Sequence, residues 1–177
     1  VSAIRKATKI CTNEMGLFVV VCKIDDVVDR LDQAKIDNLT IMNTVQEGVD
    51  AIYLNDLKKE RSNIILLGDY NIAHTPIDIH DPKGNKNSSG FLPEERAWMD
   101  KFLQSGWIDT FRFKHPNVTG AYSWWSQRFP TVRLQNKGWR IDYICVTKTL
   151  EHTIADAGIL PDVKHSDHCP IYLELKG

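Results

Sequence analysis

The 177-residue chain predicts one α/β domain, with α+β as the neighbouring alternative. Three observations point there. Amphipathic helical patterns alternate with short apolar runs, one run is apolar enough to be a strand buried on both faces, and the runs end in acid-bearing or His-bearing segments. At 42% hydrophobic and 25% charged residues, the chain can bury a sizeable core but is too short for two ordinary domains.

The elements follow in order. Leu17 to Ile24 reads as a buried strand, Asp25 to Ile36 as a helix with Val27, Val28 and Leu31 on one side, and Asn38 to Asn43 as another short strand. No chemical motif appears before residue 49. Val49 to Glu60 is an amphipathic helix whose Lys58-Lys59 end suits the negative end of its dipole. It leads into the Ile-Ile-Leu-Leu strand of Asn63 to Leu67, which stops at Gly68-Asp69. A polar stretch from Ile72 to Phe91 is too long to be a spare loop in a compact domain. Pro93 then opens a helix at its favoured first position, with Glu94 and Glu95 in the first turn. Trp98, Met99, Phe102 and Leu103 form its stripe, and Gly106 ends it. Three further strands are expected over Ala121 to Trp125, Arg140 to Val146 and Pro170 to Leu175.

Composition narrows the class of function. No apolar stretch approaches the roughly 20 residues of a membrane helix, and the N-terminus lacks a signal-peptide cleavage pattern, so a cytoplasmic, intracellular protein is expected. Cys11, Cys22, Cys145 and Cys169 show no CxxC pairing and are read as reduced, buried thiols. A net charge of −1 is uninformative, but its distribution is not. From Phe111 to Ile141 the charged residues are Arg112, Lys114, Arg128, Arg133, Lys137 and Arg140, with Tyr122, Trp124, Trp125, Phe129 and Trp139 interleaved. Cations can neutralise backbone phosphates, and aromatic faces can stack on bases or line a sugar pocket. A solvated basic face over buried aromatics is the other reading.

Three segments carry chemistry: Gly68-Asp69-Tyr70-Asn71, Gly138 to Tyr143, and Ser166-Asp167-His168-Cys169-Pro170. Hydrolysis of an anionic phosphodiester needs a cation on the phosphate, a positioned water and a charged donor for the transition state. Asp69, Asn71, Asp142 and Asp167 can hold hard cations or orient water. His168 can donate to phosphate near neutral pH, and Asp142 can hold that imidazole in one tautomer. Structural roles remain open beside these: Asp69 as a turn cap, and His168 as a core histidine satisfied by Asp142.

Read in order with Gly90-Phe91-Leu92-Pro93-Glu94-Glu95-Arg96, Asp109-Thr110-Phe111-Arg112 and Tyr122-Ser123-Trp124-Trp125, these segments resemble the exonuclease III family of abasic-site endonucleases. The likeness runs from about Val49 to Leu175. It implies a deoxyribonuclease I-like four-layer α/β sandwich of the endonuclease/exonuclease/phosphatase superfamily. It further implies Mg²⁺, with Mn²⁺ as a substitute, and a monomer acting on double-stranded DNA with abasic sites, away from membranes. Asp69 matches the aspartate that orients or deprotonates water, Asn71 the amide that steadies water and phosphate, His168 the phosphate-contacting histidine, and Asp142 its carboxylate partner. Asp167 matches a carboxylate of the metal and water network, alongside Asp69. Trp124, Trp139 and Ile141 match the walls of a pocket for a base-free deoxyribose, and Arg112 and Arg128 are expected to contact substrate.

The family's early Asn, its Gln-Glu pair and its Tyr-x-Pro strand end have no counterpart in residues 1–48. The chain is therefore expected to pair a divergent or truncated N-terminal segment, 1–48, with the C-terminal half of the fold, 49–177. Two functional readings follow: a metal-dependent abasic-site endonuclease with exonuclease or 3′-phosphodiesterase activity, or an impaired remnant that at most binds DNA. A nearby N-terminal acid, such as Glu14, Asp25, Asp26 or Glu47, would favour the first.

Overall fold

Period-two alternation in the Ile64–Leu67 run sends its side chains to two different cores, and this divides the molecule into layers. Ile64 and Leu66 join one cluster while Ile65 and Leu67 join the other. The computed structural model describes residues 18–22, 39–42, 51–129 and 131–176. Strand β1 (Phe18–Cys22) runs parallel to both β2 (Leu39–Met42) and β3 (Ile64–Asp69), with Val20 opposite Leu66. Antiparallel to β3 lies β5 (Asp142–Thr147), whose other edge takes β4 (Trp107–Asp109). The resulting order is β2-β1-β3-β5-β4. A separate antiparallel pair is formed by β6 (Ile154–Ile159) and β7 (Ile171–Leu175).

Helices α1 (Ala51–Glu60) and α2 (Pro93–Gln104) cover one face of the five-stranded sheet. Leu54, Leu57, Met99 and Phe102 meet Ile64, Leu66, Tyr70 and Tyr143 there, each burial of such a side chain being worth about 1.5–3 kcal/mol. Trp98, Phe102 and Trp107 stack in sequence at centroid distances of 5.4 and 5.3 Å. Pro93 occupies the first helical position of α2, and the Glu95 carboxylate accepts the Leu92 N–H at 2.8 Å. Arg96 then reaches out of the helix to the His74 carbonyl at 3.0 Å, tying α2 to the long loop. On the other face, Ile154, Leu173 and Leu175 of the β6–β7 pair pack against Ile65, Val146 and Leu150.

Several expectations need correction. Ala121–Trp125 is not a strand; only Trp124 forms bridges, to Trp139 and His168. Tyr122, Ser123 and Trp125 are all buried, so the segment has no open face with which to alternate across a sheet. The strand expected from Arg140 begins at Asp142, because Arg140 turns into a buried ion cluster. Not anticipated were β4, β6 and the five-residue helix α3 (Thr110–Lys114), which Asp109 caps by accepting the Arg112 N–H, along with 3-10 turns at Pro76–Asp78 and Lys148–Thr153. The helix expected over 25–36 lies outside the described residues, as do the side chains of Cys11 and Cys22. Cys145 and Cys169 are free and buried. Among the described residues, no helix is long and apolar enough to cross a membrane.

Candidate active site

The antiparallel register of β3 and β5 sets Asp69 directly opposite Asp142 at one end of the sheet. Beyond Asp69 the chain must turn while keeping Tyr70 in the core, where it is 0% exposed. Asn71 accommodates this in the left-handed conformation, φ 52°, and its N–H donates to Asp69 Oδ1 at 2.8 Å. Behind the turn, the Tyr70 N–H donates to the Ile141 carbonyl at 2.9 Å. Asp69 and Asn71 are thereby presented together at the strand end.

Asp142 is set from the other side by Ser123, whose buried hydroxyl oxygen accepts the N–H groups of Ile141 and Asp142, each at 3.2 Å. Its carboxylate accepts from His168 Nδ1 at 2.9 and 3.2 Å. Burial disfavours the charged imidazole, but the hydrogen bond and charge of Asp142, helped by the charges of Asp69 and Asp167, outweigh it and raise the His168 pKa. With Nδ1 committed to Asp142, Nε2 is the nitrogen that can donate to an anionic oxygen. Asp167 accepts from Trp124 Nε1 at 3.0 Å and from the Ser166 hydroxyl at 2.9 Å. Burial works against its charge, yet these two bonds hold its pKa below the ordinary carboxylate value.

The walls come from isolated bridges that continue beyond the sheets, Ile79 to Trp139, Trp139 to Trp124, and Trp124 to His168. The Trp124 and Trp139 rings meet edge-on at 6.1 Å. Ile141, 6% exposed, closes the cluster with Ala73, Ile79 and Phe91. Close approach explains Gly90 here: at φ 90° a Cβ would stand 2.8 Å from the Asn71 carbonyl oxygen and 3.0 Å from the Trp139 ring.

Of the residues expected from sequence, Asp69 and Asn71 meet at one strand end, Asp142 and His168 form a pair, and Trp124 links Asp167, Trp139 and His168. Arg128 is exposed on the adjoining loop. Arg112 is placed differently. Its guanidinium turns inward to the fully buried Asp78 and to the carbonyls of His115 and Val118, so its donors serve the fold rather than a substrate. Ser123 received no role from sequence, and the signal available was its place in the Tyr-Ser-Trp-Trp motif between two segments that must be joined.

Among the described residues, no group of three or more His, Cys, Asp or Glu side chains is placed to hold an ion. Asp69 and Asp167 are hard oxygen donors but do not by themselves make a coordination shell. Glu14, Asp25, Asp26 and Glu47 lie outside the described residues. Asp69 and Asn71 stand together at the strand end, and His168 Nε2 is free of the Asp142 carboxylate to donate a hydrogen bond.

The profile of the Endonuclease/Exonuclease/phosphatase family matches residues 24–168. An exodeoxyribonuclease of Bacillus subtilis is 46% identical over 121 residues, covering 68% of this chain and 47% of that protein. A solved AP endonuclease from Archaeoglobus fulgidus superposes with a TM-score of 0.61 at 30% identity, over 65% of this chain and 46% of that one. The 3′ phosphatase NExo from Neisseria, solved bound to a product DNA hairpin, gives a TM-score of 0.66 at 26% identity, over 71% and 50%. The chain thus spans about half the length of these relatives. Its fold is the corresponding part of the deoxyribonuclease I-like α/β sandwich. By family match, motif order and fold, the chain belongs to the endonuclease/exonuclease/phosphatase family, in its exonuclease III branch.

Proposed function

We propose that this chain carries the phosphate-binding half of a DNA-repair nuclease that hydrolyses the backbone of double-stranded DNA at abasic sites, with 3′–5′ exonuclease or 3′-phosphodiesterase action at the same site. The observation that carries the reading is the placement of Asp69 and Asn71 opposite the Asp142–His168 pair, beside the Trp124–Trp139 wall. In this reading Asp69 orients the attacking water or takes its proton, and Asn71 steadies water and phosphate. His168, kept charged by Asp142, donates to the phosphate oxygen on which negative charge grows. The wall of Trp124, Trp139 and Ile141 admits a base-free sugar and excludes an intact nucleotide by size. Arg128 contacts the backbone from the exposed loop. When bound, a divalent cation, Mg²⁺ or in its place Mn²⁺, would supply Lewis-acid charge on the phosphate. Asp69 and Asp167 would be this chain's ligands, and the rest of the shell must come from elsewhere.

The test is a nicking assay of the purified chain on a duplex with one abasic analogue, with an intact duplex beside it. Nicking confined to the abasic duplex, dependent on Mg²⁺ and stopped by chelator, is expected. Chelator-resistant cleavage, or equal cleavage of both duplexes, would overturn the assignment. A second reading, a remnant that binds DNA without turnover, is favoured by the incomplete donor set and would give retention of DNA with no nick.

A further inference from the structure

Between β6 and β7 the chain runs over the surface from Leu160 to Ser166 before delivering Asp167 and His168 to the candidate site. Three of its carbonyls turn towards one side chain from a distant loop: Arg133 Nη1 donates to Ser166 at 2.6 Å, and Nη2 to Pro161 and Val163, each at 3.0 Å. Carbonyl dipoles aimed at one point repel one another, so this backbone conformation needs a cation among them. The guanidinium also lies 4.4 Å over the Trp125 ring, and Trp125, 3% exposed, donates its own N–H to the Asp167 carbonyl at 3.0 Å. Arg133 thus grips the 161–166 stretch, while Asp167 just beyond it is tied to Trp124 and Trp125, with the Trp125 ring against the guanidinium.

We propose that Arg133 is a positioning residue, which clamps the 161–166 carbonyls and Trp125 together and so fixes Asp167 and His168 against the Trp124 wall. The kinetic part of this inference rests on the function proposed above, whereas the clamp itself does not. Arginine suits the role because a planar, weakly hydrated fork can face several carbonyls while stacking on indole. A lysine ammonium keeps the charge but loses the plane and the stack. Its turn is set independently by the Val132 N–H on the Phe129 carbonyl and the Lys137 N–H on the Val132 carbonyl, at 3.1 and 2.7 Å. The side chain is thus held out towards the segment it grips.

Hydrogen exchange and kinetics on the whole chain test the clamp. In Arg133→Ala, amides of 162–168 should exchange at least about tenfold faster while those of α2 and β5 keep their protection. On the abasic duplex, kcat should fall by roughly 10-fold to 100-fold, as a displaced group would cause, with KM nearly unchanged. Added methylguanidine should restore part of kcat, and Arg133→Lys should remain impaired. Unchanged exchange over 162–168, or a loss confined to KM, would overturn the proposal, the latter by making Arg133 a direct phosphate contact. If Arg133→Ala fails to fold, Arg133→Lys gives the same exchange readout. Should the unmodified chain not nick abasic DNA at all, the function proposed above fails, and the exchange experiment still decides the clamp.

Discussion

At His168, burial and a carboxylate partner pull in opposite directions, and the partner wins. A raised folded pKa means that the Asp142–His168 pair stabilises the protein below the unfolded value of about 6.5, and that this contribution disappears as pH rises through the folded value. Urea midpoints of the native chain and Asp142→Asn should accordingly lie apart near pH 5.5 and draw together in alkaline buffer. A gap independent of pH would show that the pair does not hold the proton. The catalytic assignment makes a separate demand. Asp69→Asn and His168→Ala should each slow abasic cleavage by roughly 10²-fold to 10⁴-fold, the usual worth of an acid–base or oriented electrostatic group. Steady-state rates near that of the unmodified chain would remove those residues from the chemistry. Cys169, next in sequence, has no comparable part: burial pushes its thiol up to about 12 and its Sγ faces the Tyr122 carbonyl.

Elements meet at Asp78, which is fully buried in the long 72–91 loop and accepts from Arg140 Nε at 2.6 Å and Arg112 Nε at 3.0 Å. Arg140 continues to Asp109 at 2.7 Å, so one ion cluster joins the loop, the end of β4 and the approach to β5. Burial opposes charge on Asp78, but the two guanidinium groups hold its carboxyl well below the usual range. Asp78→Asn leaves Arg112 without its carboxylate and Arg140 with Asp109 alone, and should destabilise the chain by about 3–5 kcal/mol in urea melts at neutral pH. Because the native pKa is depressed, that difference should shrink as pH falls below about 4, where the unfolded carboxylate takes up its proton. A substitution costing less than about 1 kcal/mol would mean water reaches the cluster. The same cluster explains what sequence could reveal. Strands with dense aliphatic runs, such as Ile64–Asp69, and the proline-started helix Pro93–Gln104 were legible because local pattern and packing agree there. Ile154–Ile159, with two alanines, an aspartate and a glycine, has no such run, and Trp107–Asp109 is too short to show a period. The inward turn of Arg112 was not legible because charge in a basic stretch says nothing of a buried partner more than thirty residues earlier.

For the whole molecule, the decisive quantity is how much of a two-sheet architecture this chain supplies. Its five-stranded sheet faces only the β6–β7 pair among the described strands, and Leu67, Ile144, Leu173 and Leu175 in that interface are half-buried. The motif order made the superfamily readable because the site residues cluster at strand ends, whereas cation ligands drawn from separate strands leave no local pattern. That gap matters for turnover. Asp69 and Asp167 are the metal-network acids assigned from sequence, and the described residues contain no three-donor group. A cation held by fewer carboxylates binds more loosely and positions the phosphate less well. Nicking of an abasic duplex by this chain should therefore need a Mg²⁺ concentration raised by at least about tenfold over that of a longer family member active on the same duplex, with kcat lower by roughly 100-fold, the cost of about 1 Å of misplacement. The measurement is a parallel Mg²⁺ titration of both proteins, followed by Asp167→Ala in this chain, which should shift the titration further. Equal midpoints and equal turnover would mean that a further acid from outside the described residues completes the shell, with Glu14, Asp25, Asp26 and Glu47 the first to replace by alanine.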